Sequence, residues 1–162
     1  MTNNSEPGVS FRELFLYNDH LAGRWISYFR QNPGAIDVEI GGQTGKLRNL
    51  VAHIFEVEIY FADRVLDSGA GHTKLDPADL DALQQRHESS HKQLLKFVET
   101  ADADTLAGRQ DFGPVKGVTV RKMLTQAALH SVHHWAQVAM AVRQAGFPTD
   151  KPQDIIITDA ME

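Results

Sequence analysis

Apolar residues recur at helical spacing in four separate stretches of this chain. The first runs from about Phe11 to Phe29 and carries Leu14, Leu16, Leu21, Trp25, Ile26 and Phe29, the stripe of a helix with one buried face. It is stopped by Gln31-Asn32-Pro33-Gly34, since proline lacks an N–H to continue the ladder and glycine favours a turn. The second runs from Thr44, a plausible N-cap, to about Leu66, with apolar positions at 47, 50, 51, 54, 57, 61 and 65, and ends at Ser68-Gly69-Ala70-Gly71. Asp76-Pro77 reads as an N-cap followed by proline at the first helical position. The helix it opens reaches about Thr100, with Leu80, Leu83, Leu94 and Val98 on its stripe. The fourth spans roughly Thr119 to Gln144, closed by Gly146 with Pro148 beyond. Between the first two stretches, Ile36, Val38 and Ile40 alternate and predict a short extended piece within linker 33–43. Residues 101–118 form a longer connection containing Gly108, Gly113, Pro114 and Gly117.

Four long amphipathic helices with short or moderate connections make an all-α four-helix bundle, with its longest link before the last helix. Residues 1–8 are polar and read as a disordered tail. Residues 9–162 read as one domain, with Asp154-Ile155-Ile156-Ile157 apolar enough to pack back on it. At 162 residues and 42% hydrophobic, the chain can bury a core of its own.

Charge and cysteine content narrow the function. Sixteen Lys and Arg against 21 Asp and Glu give a net charge of −5. An acidic chain without a basic run argues against nucleic-acid binding, which depends on neutralising phosphates. No stretch approaches the ~20 apolar residues of a membrane helix, and no basic and apolar leader is expected at the start. The absence of cysteine removes disulfides, thiolate ligands and a cysteine nucleophile together. It suits a reducing compartment, and a cytoplasmic location is expected.

Eight histidines are the compositional oddity. His130 and His134 lie four apart in Leu129-His130-Ser131-Val132-His133-His134-Trp135-Ala136-Gln137, one turn apart on the same face. Met123, Ala127, Gln137 and Ala141 share that side, which puts both rings at the edge of the buried stripe. Such a pair can give two imidazoles to one metal. His87 and His91 in the third helix have the same spacing and sit among its apolar positions. Spacing alone does not choose between the pairs, or between a ligand role and ordinary core histidine. His53 lies at the margin of the second helix's stripe. It becomes a candidate because an open catalytic zinc-type site takes three protein ligands.

The run from His130 through Gln137 to Arg143-Gln144-Ala145-Gly146 resembles the closing helix of the DinB-like (YfiT-like) metal-dependent enzymes. Leu50-Val51-Ala52-His53-Ile54 is similar to the family's second-helix ligand segment, and Tyr17-Asn18-Asp19 to its opening. The resemblance implies a four-helix bundle in which His53, His130 and His134 hold zinc, nickel or a similar divalent ion. It leaves His87 and His91 as pocket lining or core. The chain departs from the family after His134, where Arg and Gly are common and Trp135 and Ala136 stand here; a role for that Arg is not carried over.

The family includes transferases that join low-molecular-weight thiols to electrophiles. The resemblance therefore implies thiol S-transfer to a small-molecule substrate, with a low-molecular-weight thiol as co-substrate. Metal-dependent hydrolysis and a non-catalytic metal-binding or sensory bundle are the alternatives. The sequence itself does not establish that the chain is an enzyme. Gln137, Tyr60 and His133 are the candidates for moving protons, with Glu56 a further one and Asp19 and His20 candidate pocket residues. Trp135, about 140° around the helix from His130, heads an apolar arc with Leu124, Ala128 and Val142. That arc fits either a homodimer interface or packing on the first helix.

Overall fold

The four stripes are four long helices in the computed structural model, which describes residues 9–67 and 74–149. In chain order the elements are α1 (Phe11–Gln31), a 3-10 turn (Pro33–Asp37), β1 (Glu39–Gly41), β2 (Gly45–Lys46), α2 (Leu47–Val65), α3 (Leu80–Thr100), α4 (Ala103–Ala107), β3 (Arg109–Phe112), β4 (Val115–Thr119) and α5 (Val120–Gln144). The two strand pairs are small antiparallel hairpins, so the architecture is an all-α bundle. The expectations for tail 1–8, for the stop at Ser68-Gly69-Ala70-Gly71 and for the tail at 154–157 lie outside the described residues.

Local chemistry sets the helix ends. The Ser10 hydroxyl accepts from the Glu13 N–H while the Glu13 carboxylate accepts from the Ser10 N–H, a reciprocal cap that opens α1. Thr119, the expected start of the fourth stretch, caps α5, its hydroxyl accepting from the Lys122 N–H. Two expected starts move. Thr44 is not the cap of α2: Gly41, Gly42 and Gly45 all have positive φ and turn the chain through the β1–β2 hairpin, so the helix begins at Leu47. Asp76-Pro77 opens a turn, with the Asp76 carboxylate accepting from the Ala78 N–H. Asp79 then takes the Ala82 N–H and starts α3 at Leu80. The connection 101–118 is not irregular but holds α4 and the β3–β4 hairpin, which turns at Gly113 with φ 55°.

α3 and α5 each pack against both α1 and α2. The ring order is therefore α1–α3–α2–α5. The apolar side chains form two clusters stacked along the bundle. One gathers Trp25, Phe29, Leu47, Ile54, Phe55, Leu83, Trp135 and Val138. The other gathers Phe15, Phe61, Leu94, Met123 and Leu124. Along each long helix the buried polar residues fall where one cluster gives way to the other: Asn18 on α1, Glu58 on α2, His87, Ser90 and His91 on α3, and Ser131 on α5. The Asn18 amide N–H donates to the Ala128 carbonyl at 3.2 Å, while its Oδ1 is buried without a partner among the described residues.

The arc around Trp135 is internal. Trp135 is 1% exposed, stacks on Trp25 of α1 at 6.3 Å and meets Phe55 of α2 edge-on at 5.8 Å. Leu124, Ala128 and Val142 are buried with it, so this arc is not a dimer surface. No helix among the described residues is long and apolar enough to cross a membrane.

Trp135→Ala is expected to cost about 3–5 kcal/mol of folding stability, read as the shift in a urea midpoint. A loss below about 1 kcal/mol would mean that the stacked tryptophans are not a keystone of the core.

Candidate metal centre

α2 and α5 are neighbours in the ring, and their seam brings His53 to His130 and His134. One ring nitrogen from each of the three lies within 4.8 Å of the others. Ring centroids are 5.0 Å apart for His53 and His130, 5.2 Å for His53 and His134, and 4.3 Å for His130 and His134. Three imidazoles bound tetrahedrally at a Zn–N distance of about 2.05 Å would have centroids about 5 Å apart. The His130 and His134 Nε2 atoms are 3.1 Å apart, near the ~3.3 Å such coordination requires. The donor set therefore fits a divalent ion of zinc type.

Neighbouring groups set the tautomers. The Gln137 Oε1 can only accept, so His134 Nδ1–H donates to it at 2.6 Å. That leaves the His134 Nε2 lone pair facing His130 and His53. The Gln137 amide in turn donates to His133 Nε2 at 3.2 Å. His130 Nδ1 is buried without a hydrogen-bond partner among the described residues. Burial, followed by the neighbouring imidazoles of His134, His53 and His133, pushes His130 down from 6.5 to about 4. It is therefore neutral at physiological pH, as a metal ligand must be.

The triad stands at the edge of a cleft of about 720 Å³, lined by His53, His134 and Gln137 on one side and by Val38, Glu39, Ile40 and Gly41 of the first hairpin region on another. Met140, Ala141 and Gln144 continue the wall along α5. The size suits a small-molecule ligand.

The other sequence candidates go elsewhere. Tyr60 packs edge-on against Phe112 at 5.4 Å and is not among the residues lining the cleft. The Glu56 carboxylate accepts from the Leu75 N–H at 2.7 Å and ties down the segment before α3. His133 is exposed beside Gln137. His20 lines a different, shallow cleft together with Asp19.

His87 and His91 are buried, as a core reading of that pair expects, but they are not isolated. His87 Nδ1 lies 2.9 Å from Glu58 Oε1 and His87 Nε2 lies 3.1 Å from Asp19 Oδ1. Burial opposes the charged imidazole, yet the Glu58 charge and the hydrogen bond with Asp19 outweigh it and raise His87 to about 10. The hydrogen bond from His87 lowers Asp19, and burial lowers His91. Glu58 escaped the sequence reading. Its only signal is its place, four residues after Ile54 and three before Phe61, a glutamate set on the buried stripe of α2.

A helical bundle carrying three convergent histidines beside an open cleft is a candidate metalloprotein. The chain belongs to the DinB family, whose model matches residues 1–154. No curated protein and no solved structure matches it.

The two displaced histidines give opposite pH signs. A folded pKa near 4 at His130 means that the metal-free protein loses stability as pH falls from 6.5 towards 4. A folded pKa near 10 at His87 contributes stability that is full below 6.5 and lost as pH rises through about 10. Imidazole NMR titration with urea melts across pH checks both. Ordinary titration of the His130 ring near 6.5 would contradict the burial argument.

Proposed function

We propose that the chain is a metal-dependent enzyme that transfers a low-molecular-weight thiol to an electrophilic small molecule. In this reading His53, His130 and His134 hold one zinc- or nickel-like ion. The observation that carries it is the convergence of three imidazoles at the mouth of a 720 Å³ cleft in a chain with no cysteine nucleophile. Family membership supports a metal-associated role.

A divalent ion held by three neutral ligands keeps its full charge and draws the pKa of a thiol or water towards neutrality. The chain's own residues do the rest. Gln137 holds the His134 ring in one orientation through the 2.6 Å hydrogen bond. Val38, Ile40, Met140 and Ala141 give the cleft an apolar wall beside the polar Glu39 and Gln144. The thiol loses its proton to solvent at the open cleft. Its sulfur then forms a bond to the electrophilic carbon as the bond to the leaving group breaks, or as an epoxide ring opens and its oxygen takes a proton. A cytoplasmic setting would supply such thiols.

Metal-loaded protein is expected to accelerate conjugation of glutathione, bacillithiol or mycothiol to an epoxide or to chlorodinitrobenzene. The rate should fall at least about a hundredfold with a chelator or in His130→Ala. Metal-dependent ester or lactone cleavage without any thiol requirement would make the protein a hydrolase instead. Turnover of neither class would leave a sensory or structural bundle.

The bundle is expected to keep its helical circular dichroism when chelated at neutral pH, because both apolar clusters close without the ion. Loss of helix on chelation would make the metal structural and count against catalysis.

A further inference from the structure

We propose that Asp19, His87 and His91 form a second site for a divalent transition-metal ion, separate from the histidine triad. One ligand atom from each lies within 4.8 Å of the others. The His87 and His91 ring centroids are 5.3 Å apart, close to the ~5 Å expected for two imidazoles on one ion. They come from successive turns of α3, and Asp19 faces them from α1, the neighbour of α3 in the ring.

His91 supplies the independent observation. It is 4% exposed, and neither ring nitrogen has a hydrogen-bond partner among the described residues. An imidazole always carries at least one N–H donor, and leaving a buried polar atom unmet costs about 1–3 kcal/mol. A salt bridge through protonated His87 accounts for Asp19, His87 and Glu58. It leaves both nitrogens of His91 unexplained. An ion shared with Asp19 and His87 gives one of them a partner.

Glu58 completes the case. It is 2% exposed and lies 2.9 Å from His87 Nδ1, so Nδ1–H donates to it. An ion entering between Asp19 and His87 takes the place of the Nε2 proton of the metal-free salt bridge and releases it to solvent. A carboxylate behind a ligating imidazole is the usual support of a metal-bound histidine. Asp19 and Glu58 bring two negative charges, which a divalent ion balances. Half-exposed Asp19 lines a surface cleft of about 420 Å³ together with His91, so an ion has a way in. Two imidazoles and one carboxylate suit zinc, cobalt or ferrous ion better than calcium or magnesium.

The proposal does not rest on the thiol-transfer reading, and its test separates the two. Untagged full-length protein, stripped with a chelator, is titrated with cobalt(II) and followed by visible absorption and by elemental analysis. Wild type is expected to bind two equivalents, His130→Ala one, and His130→Ala with Asp19→Asn none. Asp19→Asn changes a half-exposed carboxylate into its isostere and should leave the fold intact, which circular dichroism verifies. His91→Gln is the second probe and should also remove one equivalent. A single equivalent that Asp19→Asn abolishes would keep this site and remove the triad. A single equivalent, or two, that survives both Asp19→Asn and His91→Gln unchanged would overturn the proposal.

Discussion

An imidazole inside a helical bundle must find something for both of its nitrogens, and most of what is unusual here follows from that requirement. Two apolar clusters fill the bundle above and below. In the band between them the chain places Asn18, Glu58, His87, Ser90, His91 and Ser131 in the interior, with His53, His130 and His134 at its edge. Leucine or valine at these positions would close the core more simply. The band instead holds polar atoms of which some are met across helices, as the Asn18 amide N–H is by the Ala128 carbonyl. Others have no partner among the described residues, as at Asn18 Oδ1, Ser90, His91 and His130.

The ring order of the helices decides which groups meet. Because α2 borders α5, His53 joins the pair on α5. Because α3 lies between α1 and α2, His87 is held from both sides by Asp19 and Glu58. Phe55 packs against both His87 and Trp135, the neighbour of His134. The two clusters therefore share one aromatic partition while differing in charge. Three imidazoles at the first leave an ion its full electrophilic strength, as chemistry on a bound small molecule requires. At the second, an ion held as proposed would have its charge offset by Asp19 and Glu58.

Helix stripes were legible because burial on one face imposes a 3.6-residue period. Histidine pairs one turn apart were legible in both α3 and α5, but the choice of His130 and His134 came from the family resemblance. His53 needed the family resemblance: a single histidine carries no spacing of its own. Of the hairpin at 39–46 only an extended piece was read, from Ile36, Val38 and Ile40, of which Ile36 falls in the 3-10 turn and Ile40 in β1. The hairpin at 109–119 escaped, because strands of two to five residues show little alternating pattern. Asp19 and Glu58 escaped as partners of His87 for a different reason. Their pairing joins residues 68 and 29 positions apart and depends on which helices are neighbours, which periodicity within one helix does not encode. Trp135 shows the same limit: its apolar arc was readable, but only packing decides that it faces Trp25 and not another chain.

The central claim is that His53, His130 and His134 converge on one ion. X-ray absorption of zinc-loaded Asp19→Asn protein, in which the second cluster lacks its carboxylate, tests it most directly. The account predicts about three imidazole ligands at roughly 2.0 Å with one further light atom, and the loss of one imidazole in His53→Gln. Two or fewer imidazoles in the parent protein, or a zinc shell that His53→Gln leaves unchanged, would contradict it.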